Sequence, residues 1–294
     1  METLDAKRYV AFLYREIFGR EPDAEGFLAH VTYLEREKTI AAAESLLHRF
    51  LSSPEACSAL GPRLFGQNIG GPRYSDDPVS FVVGLGTHCY TGAMLNRQQL
   101  RQFSGPFDWL FSNLGMVAHC LDDDFKTFLD PQYFRPVPAE ERRDGPTVNL
   151  CDHTYYLQHF GQRFVFNHTD PTSDKGWDYL KRCVDRMRSV LSSPDKKMFV
   201  CVTLKGAYSS TLIMSVFDAI ARRTKRFELL CIVVEKPDVK AVMPVVEPIA
   251  LATGARVFLQ IPLSELGGTA FANPIDELPL VRLLHQYVYE PKID

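Results

Sequence analysis

The sequence predicts an α/β protein in which a mostly parallel, three-layer sheet domain follows a small all-α domain. Two observations support this fold class. Apolar residues recur at helical spacing up to about residue 57, whereas from residue 79 onward short apolar runs alternate with amphipathic stretches. Continuously apolar strands are typical of sheets covered on both faces, and their alternation with helices is typical of parallel sheets.

The first sixty residues are predicted to form helices. The first helical run extends from Val10 to Phe18 and ends at Gly19, a residue that commonly terminates helices. Asp23 is a suitable N-terminal cap for the second run, residues 27–34. A third run, residues 39–51, places its apolar side chains on one face.

A stretch rich in Gly, Pro and Asp separates the two predicted domains. The residues in it that interrupt helices and strands include Gly61-Pro62 and Asp76-Asp-Pro78, so no periodic pattern continues through it. We therefore predict a helical module over residues 1–60, a linker over 61–78 and an α/β domain over 79–294.

Strand-length runs and amphipathic helices are predicted throughout the α/β domain. The predicted strands are 79–84, 163–166, 198–203, 229–234 and 256–261. The predicted helices are 177–191, 211–224 and 239–253. Ligands bind beyond the carboxyl ends of the strands in such sheets. The residues that directly follow each strand are therefore the place to look for a functional site.

The composition excludes several classes of protein. A net charge of −3 argues against a nucleic-acid partner, and no run approaches the roughly 20 apolar residues of a membrane span. The first residues lack a signal-peptide pattern, so a cytoplasmic protein is expected. The seven cysteines are scattered without a Cys-x-x-Cys pair. We therefore expect neither a disulfide framework nor a metal, and no cofactor.

Cys89 is the strongest candidate for a nucleophile. It follows the first predicted strand and a Gly84-Leu-Gly86 turn, and a helix can begin at Tyr90. A helix N-terminus favours a thiolate, and its free N–H groups can stabilise an oxyanion. The alternative is a buried, inert cysteine in a tight turn.

His168 is the candidate general base, because an imidazole has a pKa near neutrality and 163–166 is a predicted strand that ends just before it. Asp170 or Asp108 is the candidate carboxylate that orients the imidazole, with Asp276 as a further candidate. The alternatives are that Asp170 starts a turn and that Asp108 caps a helix.

Four further residues are candidates for substrate binding. They lie beside the catalytic candidates in sequence: His88, Ser104, Trp109 and Asn167.

Two stretches of the chain resemble known bacterial domains. Residues 4–58, approximately, resemble a helical domain of unknown function. Two sequence motifs carry the resemblance: Leu13-Tyr-Arg-Glu-Ile-Phe-Gly-Arg-Glu-Pro-Asp23 and Phe50-Leu-Ser-Ser-Pro-Glu55. That domain is often found in surface-associated or glycosyltransferase-linked chains, and the resemblance implies a docking module that contacts a protein partner.

Residues 79–205, approximately, resemble a bacterial domain described as a papain-like cysteine peptidase. Three sequence motifs carry the resemblance: Val83-Gly-Leu-Gly-Thr-His-Cys89, Ser104-Gly-Pro-Phe-Asp-Trp109 and Phe166-Asn-His168. The resemblance implies that Cys89 is the nucleophile and His168 the base. The family commonly has an acidic residue directly after this histidine, whereas Thr169 precedes Asp170 here. A papain fold contains an antiparallel β lobe, so we take the architecture from the periodicity.

Two functions follow from these patterns. The first is a cysteine-dependent hydrolase or acyltransferase that acts on a small-molecule, glycan or peptide substrate. The alternative is a non-catalytic or glycan- or nucleotide-sugar-related binding module, with Ser104–Trp109 and Asn167–Asp170 lining a pocket.

Overall fold

The computed structural model describes residues 5–51, 53, 55, 75–142, 145–238, 241, 244–249 and 254–291. The predicted linker therefore lies largely outside the described residues, and the domain boundaries stay a prediction. No helix in the described ranges is both long and apolar enough to cross a membrane.

The N-terminal region is helical, as the periodicity predicts. It contains α1 (Ala6–Leu13), a π-helical turn (Tyr14–Phe18), α2 (Ala24–Glu37) and α3 (Ile40–Leu51). Gly19 ends the π-helical turn in a left-handed conformation with φ of 72°. The side chain of Asp23 caps α2 by accepting a hydrogen bond from the N–H of Gly26 at 2.8 Å.

A five-stranded sheet forms the centre of the α/β domain and confirms the predicted fold class. Its strands lie in the order β2 (Phe81–Gly84), β5 (Lys197–Leu204), β6 (Phe227–Val234), β8 (Ala255–Ile261) and β7 (Val245–Ile249). All neighbouring pairs are parallel except β7 with β8. Four of these strands thus bring their carboxyl ends to one edge.

Helices cover both faces of this sheet. Their bounds are α4 (Tyr90–Arg97), α5 (Leu114–Asp122), α6 (Thr154–Phe160), α7 (Asp174–Ser192), α8 (Ser210–Arg223) and α9 (Leu278–Leu284). Phe199 and Cys201 of β5 pack in a core with α5, α7 and α8. The alternate residues Val200 and Val202 pack in a second core with α4 and α9. This alternation is the period of two that a strand imposes, and it produces three layers.

The predicted helix over residues 239–253 is wrong where the structure describes it. Residues 245–249 form β7, which pairs antiparallel with β8 at the edge of the sheet. Val245, Val246 and Ile249 are β-branched and favour a strand. Pro248 lacks an N–H group and is tolerated because only one side of an edge strand is paired.

The predicted strand over residues 163–166 does not join the central sheet. Phe164 has φ of 53°, a left-handed conformation that interrupts an extended strand. Phe166 instead forms an isolated antiparallel bridge with Cys151. Cys151 belongs to β4 (Cys151–His153), which pairs antiparallel with β3 (Phe134–Pro136). His168 is therefore positioned by a connection outside the central sheet.

The C-terminal segment joins the two parts of the molecule. After a 3-10 turn (Pro274–Glu277) and α9, β9 (Tyr287–Tyr289) pairs parallel with β1 (Ser75–Val79). Ile275 and Leu278 are buried in the same apolar cluster as the side chains of α1, α2 and α3. The helical module thus packs directly on the segment that precedes and begins α9.

Candidate functional site

The candidate site begins where β2 ends, at the carboxyl edge of the sheet. Gly84 and Gly86 bracket the turn between β2 and α4. A Cβ atom on Gly84 would lie 2.6 Å from Oδ1 of Asp108, and one on Gly86 would lie 2.7 Å from Oγ1 of Thr91. Both positions therefore need glycine because neighbouring side chains approach the backbone closely.

Cys89 is the N-cap residue of α4, where the sequence places it, but the residue is only 3% exposed. Burial raises the pKa of the thiol above its ordinary value of 9.0, and the charge of Asp108 adds to this increase. Hydrogen bonds from the Asn167 side chain and from the backbone of residue 89 itself lower the pKa but do not cancel the increase. In this conformation the thiol is therefore protonated at neutral pH.

Asn167 links the thiol to the candidate base. Its Oδ1 accepts a hydrogen bond from the N–H of Asn149 at 2.8 Å, which directs Nδ2 the other way. Nδ2 lies 2.9 Å from Nε2 of His168. Since Nδ2 is a donor, Nε2 of His168 accepts this bond and the proton of the neutral ring is on Nδ1.

Asn167 is hydrogen-bonded to His168, and its side chain lowers the pKa of Cys89. Both residues are described, and no hydrogen bond joins the Cys89 thiol directly to the His168 ring. Asn167 is buried, with 6% of its surface exposed, whereas His168 is exposed to solvent. The imidazole therefore has room to turn, while the amide that contacts both residues is fixed.

Asp170 forms a local turn. Its Oδ1 accepts hydrogen bonds from the N–H of Thr172 at 2.9 Å and from the Thr172 hydroxyl at 2.7 Å. Its carbonyl oxygen accepts a hydrogen bond from the Ser173 hydroxyl at 2.8 Å, and Ser173 caps α7. This arrangement corresponds to the alternative role, in which Asp170 starts a turn ahead of a helix.

Asp108 is buried beside α4, with 2% of its surface exposed. Its Oδ2 accepts a hydrogen bond from the N–H of Gly105 at 2.8 Å and lies 3.7 Å from Nη1 of Arg101. Burial raises the pKa of this carboxyl to about 6. Asp108 therefore acts on Cys89 by its charge, and its Oδ1 is buried without a hydrogen-bond partner among the described residues.

Asp276 holds the loop after β8. Its carboxylate accepts hydrogen bonds from the N–H of Leu263 at 2.7 Å and from the N–H and hydroxyl of Ser264 at 2.9 and 2.6 Å. These bonds account for both oxygens, which is the pattern of a carboxylate that stabilises a loop.

His88 presents a buried donor next to the nucleophile. The N–H of Tyr90 donates to Nδ1 of His88 at 3.3 Å, so Nε2 carries the proton of the neutral ring. Nε2 is buried and has no hydrogen-bond partner among the described residues. Burial lowers the pKa of His88, which keeps the ring neutral.

Ser104 and Trp109 pack within the Ser104–Trp109 loop. The guanidinium of Arg101 lies over the Trp109 ring, 5.1 Å from its centre. The Ser104 hydroxyl contacts the phenol of Tyr179 on α7. Neither residue is fully exposed, so their role in substrate binding stays a prediction.

Sequence reasoning missed two residues that support the site, Asn149 and Glu277. Asn149 donates to Asn167 from a backbone with φ of 55°, a conformation that asparagine tolerates better than most residues. Glu277 accepts a hydrogen bond from the hydroxyl of Tyr90 at 3.2 Å across 187 residues. Neither contact leaves a local pattern in the sequence.

Within the residues that the structure describes, no group of three His, Cys, Asp or Glu side chains is arranged to hold a metal ion. The six described cysteines are all free and buried.

The fold and this group of residues define a class: a three-layer α/β protein with a cysteine at the start of a helix and an Asn–His pair beside it. The chain belongs to the family described as "Putative papain-like cysteine peptidase", whose model matches residues 80–236, just over half of the chain. The matched region contains Cys89, Asn167 and His168. Searches of curated proteins and of solved structures found no match.

Proposed function

We propose that this protein is a cysteine-dependent hydrolase or acyltransferase, with Cys89 as the nucleophile and His168 as the base. The observation that carries the proposal is the Asn167 amide, which lies 2.9 Å from the imidazole and whose side chain also lowers the pKa of the Cys89 thiol. Membership of a cysteine peptidase family supports the general class of reaction.

The first step is the transfer of the thiol proton to the imidazole of His168. In the structure the lone pair of His168 Nε2 accepts from Asn167, so the exposed ring turns toward Cys89 when substrate binds. The thiolate then attacks the carbonyl carbon and forms a tetrahedral oxyanion. The imidazolium returns the proton to the leaving group, and a thioester remains on Cys89.

The second step resolves the thioester. His168 removes a proton from water or from an acceptor hydroxyl or amine, which attacks the thioester carbonyl. Collapse of the second oxyanion releases the thiolate, which recovers its proton from His168. Water gives hydrolysis, and another acceptor gives acyl transfer.

His88 is proposed as an oxyanion donor. Its ring is neutral, its Nε2–H is buried without a partner among the described residues, and it adjoins Cys89. A neutral imidazole that is already oriented can donate to a developing negative charge without reorganisation. Asn167 orients His168 in this proposal, in place of Asp170, whose Oδ1 accepts from Thr172, or Asp108, whose Oδ2 accepts from Gly105.

The same proposal includes the substrate class, the partner of the helical module and the location of the protein. The substrate is an acylated small molecule, a glycan or a peptide, and the α1–α3 module contacts a protein partner. A cytoplasmic location is supported by the six described cysteines, which are free, since oxidising compartments favour disulfides. A bacterial origin stays a prediction.

A test uses p-nitrophenyl acetate as a generic acyl donor. We expect a burst of p-nitrophenol and an acetyl adduct on the Cys89 peptide, detected by mass spectrometry. Cys89→Ala abolishes both, and His168→Ala slows the burst about 100-fold because the general base is lost. Cys183→Ala, a matched change at a buried cysteine of α7, leaves the burst unchanged. An acetyl adduct that never forms on Cys89 between pH 6 and 10 contradicts the proposal.

A second candidate is a non-catalytic binding module. The 3% exposure of Cys89 and its raised pKa favour this function, because a reactive cysteine is usually accessible and acidic. A thermal shift with a nucleotide-sugar panel that persists in Cys89→Ala, together with no acetyl adduct, would favour the module over the enzyme.

A further inference from the structure

Glu277 holds both ends of the helix that begins after Cys89. Its side chain is 8% exposed and accepts hydrogen bonds from the hydroxyl of Tyr90 at 3.2 Å and from Nε of Arg97 at 3.0 Å. Nη2 of Arg97 makes a second bond to the same carboxylate. Tyr90 and Arg97 are the first and last residues of α4, so one carboxylate fixes the whole helix.

Tyr90 connects this anchor to the site. It directly follows Cys89, and its side chain is fully buried. Its backbone N–H donates to Nδ1 of His88. The position of residue 90 therefore sets the position of the thiol and the orientation of the His88 ring.

We propose that Glu277 is a positioning residue for Cys89 and His88. Its role in catalysis rests on the function proposed above. Its effect on the position of the Cys89 thiol is independent of that function. Glu277 lies beyond residues 80–236, the part of the chain that the family model matches. The C-terminal segment thus contributes a residue that positions this site.

The position of the Glu277 carboxylate depends mainly on its hydrogen bonds, because a cavity lies beside it. A cavity of about 750 Å³ borders Arg97 and Glu277 on the side of α3. Packing therefore does not hold the carboxylate on that side. Ile275 and Leu278, which flank Glu277, are buried against α1–α3, so the helical module supports the chain before and after Glu277.

The test measures how well the fold protects Cys89. Tyr90→Phe removes only the hydroxyl that donates to Glu277, and Glu277→Gln removes the charge that pairs with Arg97. Each cysteine's rate of alkylation by iodoacetamide is followed by peptide mass spectrometry in native buffer. We expect the Cys89 rate to rise about fivefold or more in both variants, which is the scale of one lost hydrogen bond.

The double variant Tyr90→Phe/Glu277→Gln is expected to show less than the product of the two single effects, because both changes weaken the one group of bonds that Glu277 makes to α4. The matched control is Asp122→Asn, which breaks a bidentate pair with Arg222 between α5 and α8. This control leaves the Cys89 rate unchanged. The other buried cysteines serve as internal controls and keep their wild-type rates.

Two results overturn the proposal: an unchanged Cys89 rate in both variants, or an equal rise at every buried cysteine, which reports a general loss of stability. The outcome is separable from the proposed function. If Cys89→Ala retains the burst with p-nitrophenyl acetate, the function fails while the protection data stand. A burst that is lost on Cys89→Ala, with no change in protection in Tyr90→Phe and Glu277→Gln, removes only the role of Glu277.

Discussion

Asp108 is a buried acid that destabilises the folded protein when it ionises. Burial raises its pKa from 3.8 to about 6, although the N–H of Gly105 and the guanidinium of Arg101 lower it. Between pH 3.8 and 6 the unfolded chain releases this proton before the folded chain does. The stability that this group contributes is therefore present below this range and is lost as the pH rises through it.

Asp108→Asn is expected to remove this pH dependence. The shift corresponds to about 3 kcal/mol, so the variant gains up to that much relative to wild type between pH 4 and pH 7. The amide oxygen can still accept from Gly105. Urea denaturation of both proteins at the two pH values measures the change. A difference between them that is constant with pH contradicts this assignment.

Cys89 shows why a motif alone does not establish reactivity. Its position at the start of α4 favours a thiolate, but burial raises the pKa of the thiol above its ordinary value and the charge of Asp108 adds to the increase. The balance depends on how many groups surround the sulfur, and local sequence does not record this number.

The contact between α4 and the Ser104–Trp109 loop is tight at Gly92. A Cβ atom there would lie 2.9 Å from both Cβ and the carbonyl oxygen of Asp108. The helix and the loop that carries Asp108 can approach this closely only because residue 92 has no side chain.

Gly92→Ala is expected to destabilise the protein by about 1–3 kcal/mol through overpacking. This cost exceeds the gain of up to about 1 kcal/mol that alanine brings inside a helix. Urea denaturation measures the difference. Gly206→Ala is the control, since nothing lies within 4 Å of a Cβ at that position. Increased stability of Gly92→Ala would show that the loop moves away freely.

Two elements were predicted wrongly for different physical reasons. Residues 239–253 have an apolar pattern that fits either a helix or a strand. Residues 245–249 form the strand β7 because they pair with β8 at the edge of the sheet. Residues 163–166 have the composition of a strand, but the left-handed backbone at Phe164 interrupts it. Tertiary context overrides propensity in short segments.

The helical module and the α/β domain share an apolar core through the C-terminal segment. Leu278 is 1% exposed and lies in the cluster that contains the side chains of α1–α3. Leu284, on the same helix, is fully buried in the cluster that covers the sheet. The two leucines of α9 therefore face different parts of the molecule.

Leu278→Ala is expected to cost about 2–5 kcal/mol and to loosen the helical module selectively. Hydrogen exchange of the α1–α3 amides measures this loosening. Leu284→Ala is the matched control, which loses a similar volume but is expected to accelerate exchange mainly in the sheet and α4. Equal exchange of α1–α3 in both variants would contradict a shared core at Leu278.

The sequence by itself determined the class of the fold, because the periodicity of apolar residues records which face of each element is buried. It also placed Cys89 at the start of a helix after the first strand of the sheet. Only the tertiary structure decided which groups meet there. Asn167 contacts Cys89 and His168, and Glu277 holds Tyr90 across 187 residues. Contacts between distant residues depend on how elements pack against one another, and periodicity describes each element alone.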